Sequence, residues 1–89
     1  PTIDSSLLIL LLDQGRVVRA TDGIIFETGA YQNLEQRVID RLHERGKVTV
    51  AEIRDMFSTS RKYAMALLEH MDEELITRRI GDERVLLRR

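Results

Sequence analysis

The feature that constrains this 89-residue chain most strongly is a series of three amphipathic segments followed by two short strand-like segments. In each amphipathic segment the apolar residues recur at the spacing of one helical face. The predicted helices span roughly residues 33–45, 50–57 and 59–73, and their apolar residues are Leu34, Val38, Ile39 and Leu42, then Ile53, Met56 and Phe57, then Ala64, Leu67, Leu68 and Met71. Gly46 would end the first helix, and Thr49 with Glu52 forms a capping box that begins the second.

The two strand-like segments lie at residues 76–80 and 84–87, on either side of Gly81 and Asp82, a favourable pair for a hairpin turn. Three helices and a terminal hairpin define a winged helix-turn-helix, in which the hairpin is the wing. The predicted fold class is therefore α+β and mostly helical.

Residues 5–28 repeat the second half of this pattern, with a leucine-rich helix that ends at Gly15 and two short strands around an Asp-Gly turn. At an offset of 59, Leu8, Leu12, Asp13, Val17 and Arg19 fall on Leu67, Met71, Asp72, Ile76 and Arg78. We interpret the chain as part of a tandem array. Residues 1–30 are predicted to be the C-terminal half of a preceding winged helix, and residues 31–89 a complete one. Residues 29–32 would be a short linker, and the apolar residues 7–12 are interpreted as core.

Several classes of function are disfavoured by what the sequence lacks. It has no cysteine, and His43 and His70 have no second ligand at a metal-binding spacing, so we interpret both as solvated. The longest apolar run has six residues, far short of the roughly 20 that span a bilayer. Phosphate-binding loops and catalytic motifs are also missing. We expect a cytoplasmic monomer without membrane contact, metal, cofactor or enzymatic activity.

Charge is distributed unevenly along the chain, although the net charge is only -1. The last fifteen residues carry five arginines against two carboxylates, and these arginines are Arg78, Arg79, Arg84, Arg88 and Arg89. A local basic patch can bind phosphate even when the average charge of a chain does not favour it.

The start of the third predicted helix combines a capping serine with two cations. Ser60 is the predicted N-cap, and Arg61 and Lys62 follow it in the first turn. Basic residues at this end oppose the helix dipole at a cost of a few tenths of a kcal/mol. A bound phosphate would relieve that conflict. The alternative is that both side chains are simply solvated.

The rest of the third helix carries little that could read bases. Met65, Ala66 and Glu69 are expected to be exposed, and residues 72–74 are acidic. In a DNA major groove these carboxylates would approach phosphates. A-form RNA has a major groove too narrow for side chains, so an RNA reader would use a helix tip and a hairpin instead. The alternatives are a DNA-binding regulator and a winged helix used only for protein contacts.

The wing provides a second indication of an anion partner. If the turn is Gly81-Asp82, Arg79 lies directly across from Arg84, and like charges in that position destabilise a ribbon unless an anion lies between them. The alternative is a different register in which acidic neighbours neutralise the pair. Tyr31 and Tyr63 could each stack on an extruded base, although half-buried packing is the commoner role for such a tyrosine.

The strings TSRKYA at residues 59–64 and TRR, GD and RVL within residues 77–86 carry a family resemblance. With them, most of residues 47–87 resembles the last winged helix of the bacterial selenocysteine-specific elongation factor. Glu74-Leu75 departs from the family, which often has glycine after this helix.

The resemblance implies a module for protein biosynthesis that binds the SECIS hairpin of messenger RNA, because the family does so with a C-terminal arm of four winged helices. It also implies that GTP is bound elsewhere in the factor, and that the remaining partners are the rest of the factor and the ribosome. The expected RNA-binding residues are Ser60, Arg61, Lys62, Arg78, Arg79 and Arg84.

Overall fold

The structure is a computed structural model that describes residues 5–87. In this range the helices are α1 (Ser5–Asp13), α2 (Thr28–Arg45), α3 (Val50–Met56) and α4 (Arg61–Glu73), and the strands are β1 (Val17–Arg19), β2 (Ile25–Glu27), β3 (Val48–Thr49), β4 (Thr77–Ile80) and β5 (Glu83–Leu86). β1 and β2 form an antiparallel hairpin. β3, β5 and β4 form a second antiparallel sheet with β5 in its centre.

The winged helix is assembled around one core to which α2, α3, α4 and the three-stranded sheet all contribute. Its buried members include Val38, Ile39 and Leu42 from α2, Ile53 from α3, and Ala64, Leu67, Leu68 and Met71 from α4. The apolar spacing had assigned all of these to the interior, so the predicted winged helix and its core are confirmed. The capping box is also present, since Thr49 Oγ1 accepts from the Glu52 amide and Glu52 Oε1 accepts from the Thr49 amide.

Helix α2 begins earlier than the sequence suggested, and the predicted linker at residues 29–32 is wrong. The Glu27 carboxylate caps the helix by accepting from the amides of Gly29 and Ala30, each at 2.9 Å. These two bonds lower the pKa of Glu27, and the bond from Gly29 has the larger effect. Because a carboxylate satisfies the free amides here, the helix can start at Thr28 and carry Tyr31 into the core.

The β1–β2 hairpin packs directly on α4. Ala66 is only 1% exposed because Ala20 and Ile24 of the hairpin cover it. Beside this contact the Thr21 hydroxyl donates to Glu69 Oε1 at 3.0 Å. The prediction that Ala66 lies exposed on this helix is therefore wrong, since its covering partner comes from a distant part of the sequence.

Helix α1 has no buried residue, so the interpretation of residues 7–12 as core is wrong for this structure. Leu7, Ile9 and Leu10 are about half exposed. The helix contacts mainly β1, and only one side of it is covered. Within residues 5–87 none of the helices has the length and apolar character required to cross a membrane.

Helices α1 and α4 end in the same backbone motif, with Gly15 and Leu75 in the left-handed region at φ +67° and +59°. The next amide donates to the carbonyl five residues earlier, from Arg16 to Leu11 at 2.9 Å and from Ile76 to Met71 at 3.0 Å. This is the Schellman arrangement. Aligning the two motifs gives an offset of 60, so the offset of 59 inferred from sequence is one residue short.

Leu75→Gly is expected to raise the free energy of unfolding by about 0.5–1 kcal/mol. A left-handed backbone is strained for leucine and relaxed for glycine, while the greater freedom of glycine in the unfolded chain offsets part of the gain. Little packing is lost because Leu75 is 55% exposed. Urea unfolding measures the change, and Gly15→Ala at the equivalent position should shift stability the opposite way. A less stable Leu75→Gly variant would show that the leucine side chain outweighs the backbone strain.

Candidate nucleic-acid interface

The tip of α4 has the geometry of an anion site. Ser60 is the N-cap, as predicted, and its Oγ accepts from the Tyr63 amide at 3.2 Å. Arg61 and Lys62 are exposed in the first turn, which contains no acidic residue. The remaining free amides and the positive end of the helix dipole lie at the same place.

A cleft of about 330 Å³ lies between this tip, the start of α3 and the wing. It is lined by Thr49, Val50, Ala51, Arg61, Met65, Arg79, Asp82 and Arg84. Arg61 and Met65 are one helical turn apart and therefore share the side of α4 that faces the wing. The cleft thus brings exposed cations from two separate elements, Arg61 and Arg79, to one concave surface.

The wing has the register that was predicted. Arg79 pairs with Arg84 and Ile80 with Glu83, which leaves Gly81 and Asp82 as the turn. Gly81 has φ +60°, a conformation that glycine adopts without strain. The alternative register is therefore wrong.

Arg84, however, is not a free cation, so the expectation that an anion lies between Arg79 and Arg84 is wrong. The residue is 1% exposed, and its Nε and Nη2 donate to Asp72 Oδ2 at 3.2 and 3.1 Å. The Thr77 hydroxyl donates to Asp72 Oδ1 at 2.6 Å. The charge of Arg84 is balanced by a carboxylate on α4, so no external anion is needed. We interpret this cluster as the anchor that ties the wing to α4, and Arg84 is not available for a phosphate contact.

The other predicted wing arginines are exposed but lie on different faces. Arg79 shares a sheet face with Arg84, whereas Arg78 pairs with Val85 and therefore points to the opposite face. The Arg79 Nε donates to the Gly81 carbonyl at 2.9 Å, which holds its guanidinium over the turn. Arg78 is thus placed outside the cleft, and Arg88 and Arg89 lie outside the described residues.

Two cations near this surface already form ion pairs with carboxylates. Lys47 forms a 2.9 Å ion pair with Glu83, and this hydrogen-bonded contact raises the pKa of Lys47. Arg54 pairs with Asp55 at 2.9 Å. Within residues 5–87, by contrast, Arg61 and Lys62 at the α4 tip form no ion pair, which leaves their charges available to a ligand.

The two tyrosines have different environments. Tyr31 is 5% exposed, its ring meets the His70 imidazole edge-on at 5.2 Å, and burial raises the pKa of its hydroxyl. It therefore cannot stack on an external base. His70 is correspondingly half-buried, so its interpretation as a solvated histidine is wrong, whereas His43 is exposed. Tyr63 is 50% exposed beside the tip of α4.

Fold and site together define a winged-helix domain with exposed cations at the tip of α4 and in its wing. Residues 40–86 match the family described as "Elongation factor SelB, winged helix", and the chain belongs to this family. It is 29% identical over 80 residues to the selenocysteine-specific elongation factor of Desulfomicrobium baculatum. That alignment covers 90% of this chain and 13% of the relative, so the chain corresponds to a small part of such a protein.

A solved structure shares the fold. The mRNA-binding domain of elongation factor SelB from E. coli, determined in complex with SECIS RNA, superposes with a TM-score of 0.84 at 24% sequence identity. The match covers 93% of this chain and 69% of that chain. The whole arrangement of α1, the β1–β2 hairpin and the winged helix therefore belongs to a known architecture.

Proposed function

We propose that this chain is an RNA-binding module of a selenocysteine-specific elongation factor, and that it recognises the SECIS hairpin of messenger RNA. The observation that carries the proposal is the meeting of Arg61 and Arg79 at one cleft next to the capped tip of α4. Family membership supports the biological context. The fold is that of the E. coli domain whose structure contains SECIS RNA.

The proposed contacts are to phosphates. Ser60, Arg61 and Lys62 would hold one phosphate group at the helix tip, where backbone amides and side-chain charge act together. Arg79 would bind another across the cleft, and Arg78 a flanking phosphate from the outer face of the wing. RNA suits this arrangement because its helical major groove excludes side chains, which leaves the backbone and the unpaired loop as targets.

A DNA-binding regulator is the weaker candidate. To enter a major groove, α4 would have to present a free face along its length. The β1–β2 hairpin covers Ala66 and Glu69 on one side of that helix. Glu73 and Glu74 at its far end would also approach the DNA phosphates. The tip is the part of α4 that presents exposed cations, which favours a contact with a hairpin loop.

We further propose that residues 1–30 are the C-terminal half of a preceding winged helix and that residues 31–89 form a complete one. The Schellman arrangement that ends both α1 and α4 supports this division. The two hairpins also close alike, since Thr28 N–H donates to the Arg16 carbonyl at 3.0 Å and Leu87 N–H to that of Ile76 at 2.9 Å. Because α2 begins at Thr28, the two units would share its first turn.

The role proposed for this chain is binding, without catalysis. Because the chain spans 13% of its relative, GTP hydrolysis would belong to parts of the factor outside it. We further propose that the chain contacts those parts of the factor and the ribosome, and that it does so in the cytoplasm. The chain would act as a monomer that holds the messenger RNA hairpin.

The experiment is a binding assay with a SECIS hairpin, an RNA duplex of the same stem that lacks the loop, and duplex DNA. The hairpin should bind more than about tenfold, or 1.4 kcal/mol, more tightly than either control. Lys62→Ala should lower the slope of log affinity against log salt by about one unit, since one phosphate contact is lost. Arg19→Ala, which removes an exposed cation from β1, should leave the slope unchanged. Equal affinity for all three nucleic acids would contradict the proposal.

A further inference from the structure

A second concave surface lies on the other side of the α4 tip. It is an open groove of about 180 Å³. Its lining is Phe26, Leu34, Phe57, Thr59, Tyr63, Ala64 and Leu67, which come from β2, α2, α4 and the segment between α3 and α4. We call it the aromatic groove. It is separate from the cleft that faces the wing, and it shares no residue with it.

Helical geometry places the phosphate-binding tip between the two surfaces. Successive residues of an α-helix are rotated by about 100°, so Tyr63 lies about 200° around α4 from Arg61. Arg61 lines the cleft, and Tyr63 lines the aromatic groove. An RNA strand whose phosphates rest on the first turn of α4 would therefore have both surfaces within reach of its bases.

The groove has the chemistry of a stacking platform. Tyr63 is 50% exposed, so about half of its surface is open to a ligand. The Arg37 guanidinium lies over the Phe57 ring, 4.6 Å from its centroid, and Lys62 precedes Tyr63 in the same helical turn. No carboxylate is among the lining residues. The lining is thus mostly apolar and aromatic. Two exposed cations stand next to lining residues, Arg37 over Phe57 and Lys62 beside Tyr63 in the chain, a combination that suits unpaired nucleotides.

We infer that the aromatic groove is a second RNA subsite, which takes one unstacked base of the hairpin loop onto the face of Tyr63. The inference rests on the proposed function. The groove is smaller than the roughly 300–1,000 Å³ typical of sites for drug-sized ligands. One flat ring system fits such a space, whereas the phosphates of the same strand stay at the tip. Stacking is tolerant of sequence, so this subsite secures the loop without reading the identity of the base.

The competing occupant is an apolar side chain of a protein, and charge separates the two possibilities. A protein side chain would gain nothing from the cations at Arg37 and Lys62, whereas a nucleotide brings a phosphate to pair with them. If a protein side chain occupies the groove, substitution of Tyr63 should have no effect on RNA affinity. Substitution of Tyr63 therefore distinguishes a nucleotide from a protein side chain.

Tyr63→Leu should weaken binding of the SECIS hairpin about tenfold, which is 1.4 kcal/mol. Tyr63→Phe keeps the ring and should bind within about twofold of the parent. The salt slope should stay unchanged in Tyr63→Leu, because a stacking contact releases no counterion. Leu10→Ala is the matched control: Leu10 is 51% exposed in α1 and does not line the groove, so its loss should not alter affinity.

Tyrosine fluorescence provides a direct readout of stacking. The chain has two tyrosines and no tryptophan, so Tyr31→Phe leaves Tyr63 as the sole emitter. Titration with the SECIS hairpin should quench that emission, and a hairpin with an abasic nucleotide at the stacked loop position should not. If the hairpin binds, Tyr63→Leu leaves its affinity unchanged and the Tyr63 emission of Tyr31→Phe is not quenched, the groove is not an RNA subsite and the proposed function still holds. If the parent chain does not bind the hairpin, both fail.

Discussion

Arg84→Met is expected to lower the free energy of unfolding by about 2–4 kcal/mol. The substitution leaves the Asp72 carboxylate without its cation in a site where the side chain is only 25% exposed. The loss of stability is somewhat smaller than that of breaking a fully buried pair because water still reaches Asp72. From the sequence alone, loss of Arg84 would leave the chain equally stable or slightly more stable, since Arg84 was expected to face Arg79 as an unpaired cation. Urea unfolding of both proteins measures the difference.

A double-mutant cycle isolates the anchor from general loss of packing. Asp72→Leu alone leaves the Arg84 charge buried and should also be strongly destabilising. The combined Arg84→Met and Asp72→Leu variant removes both charges, so it should be less destabilised than the sum of the single changes. If Arg84→Met were as stable as the parent, the anchor would not hold the wing, and Arg84 would again be a candidate for RNA binding.

Replacing Arg61 and Arg79 together by alanine should weaken SECIS hairpin binding about 100-fold, or 2.7 kcal/mol, because two charge-assisted contacts are lost. The slope of log affinity against log salt should fall by about two units. Stability should change little, since both residues are exposed and Arg79 donates only to the Gly81 carbonyl. Isothermal titration at several salt concentrations gives both quantities.

The matched control is a variant with Arg19 and Arg45 replaced by alanine. It removes the same charge from two exposed positions, in β1 and at the end of α2, that lie outside the cleft. The proposed interface requires this variant to bind nearly as well as the parent. An equal loss of affinity in both double variants would mean that net charge, and not the cleft, governs binding.

The winged helix could be predicted from sequence because its signals are local. Apolar spacing defined the inner faces of α2, α3 and α4, and side-chain caps defined where two of those helices begin. The wing register followed from the turn residues Gly81 and Asp82. Each of these features depends on residues within a few positions of one another, and the structure has all of them.

The environment of Arg84 could not be predicted in the same way, because it depends on a contact between two elements. The register correctly placed Arg84 opposite Arg79, yet its charge is balanced by Asp72 on a helix that the strand pattern does not include. One signal was present. A carboxylate in the last turn of a helix opposes the helix dipole, which indicates that Asp72 has a cationic partner.

Other errors share the same cause. Ala66 was expected to be exposed because nothing near it in sequence shows that the β1–β2 hairpin covers it. Residues 29–32 were taken for a linker because the apolar pattern starts only at Leu34, while the cap that extends α2 comes from Glu27. Residues 7–12 have the composition of a core, but the structure places no core against most of α1. Local patterns do not show which faces meet.

The most direct test of the account is a nuclear magnetic resonance titration of the whole chain with a SECIS hairpin, followed at the backbone amides. The largest shifts should fall on residues 60–63 at the α4 tip and on residues 79–82 of the wing, while α1 and β1, which line neither the cleft nor the aromatic groove, should change little. Shifts confined to α1 and the β1–β2 hairpin would place the RNA away from the α4 tip and the wing, and would contradict the proposed interface.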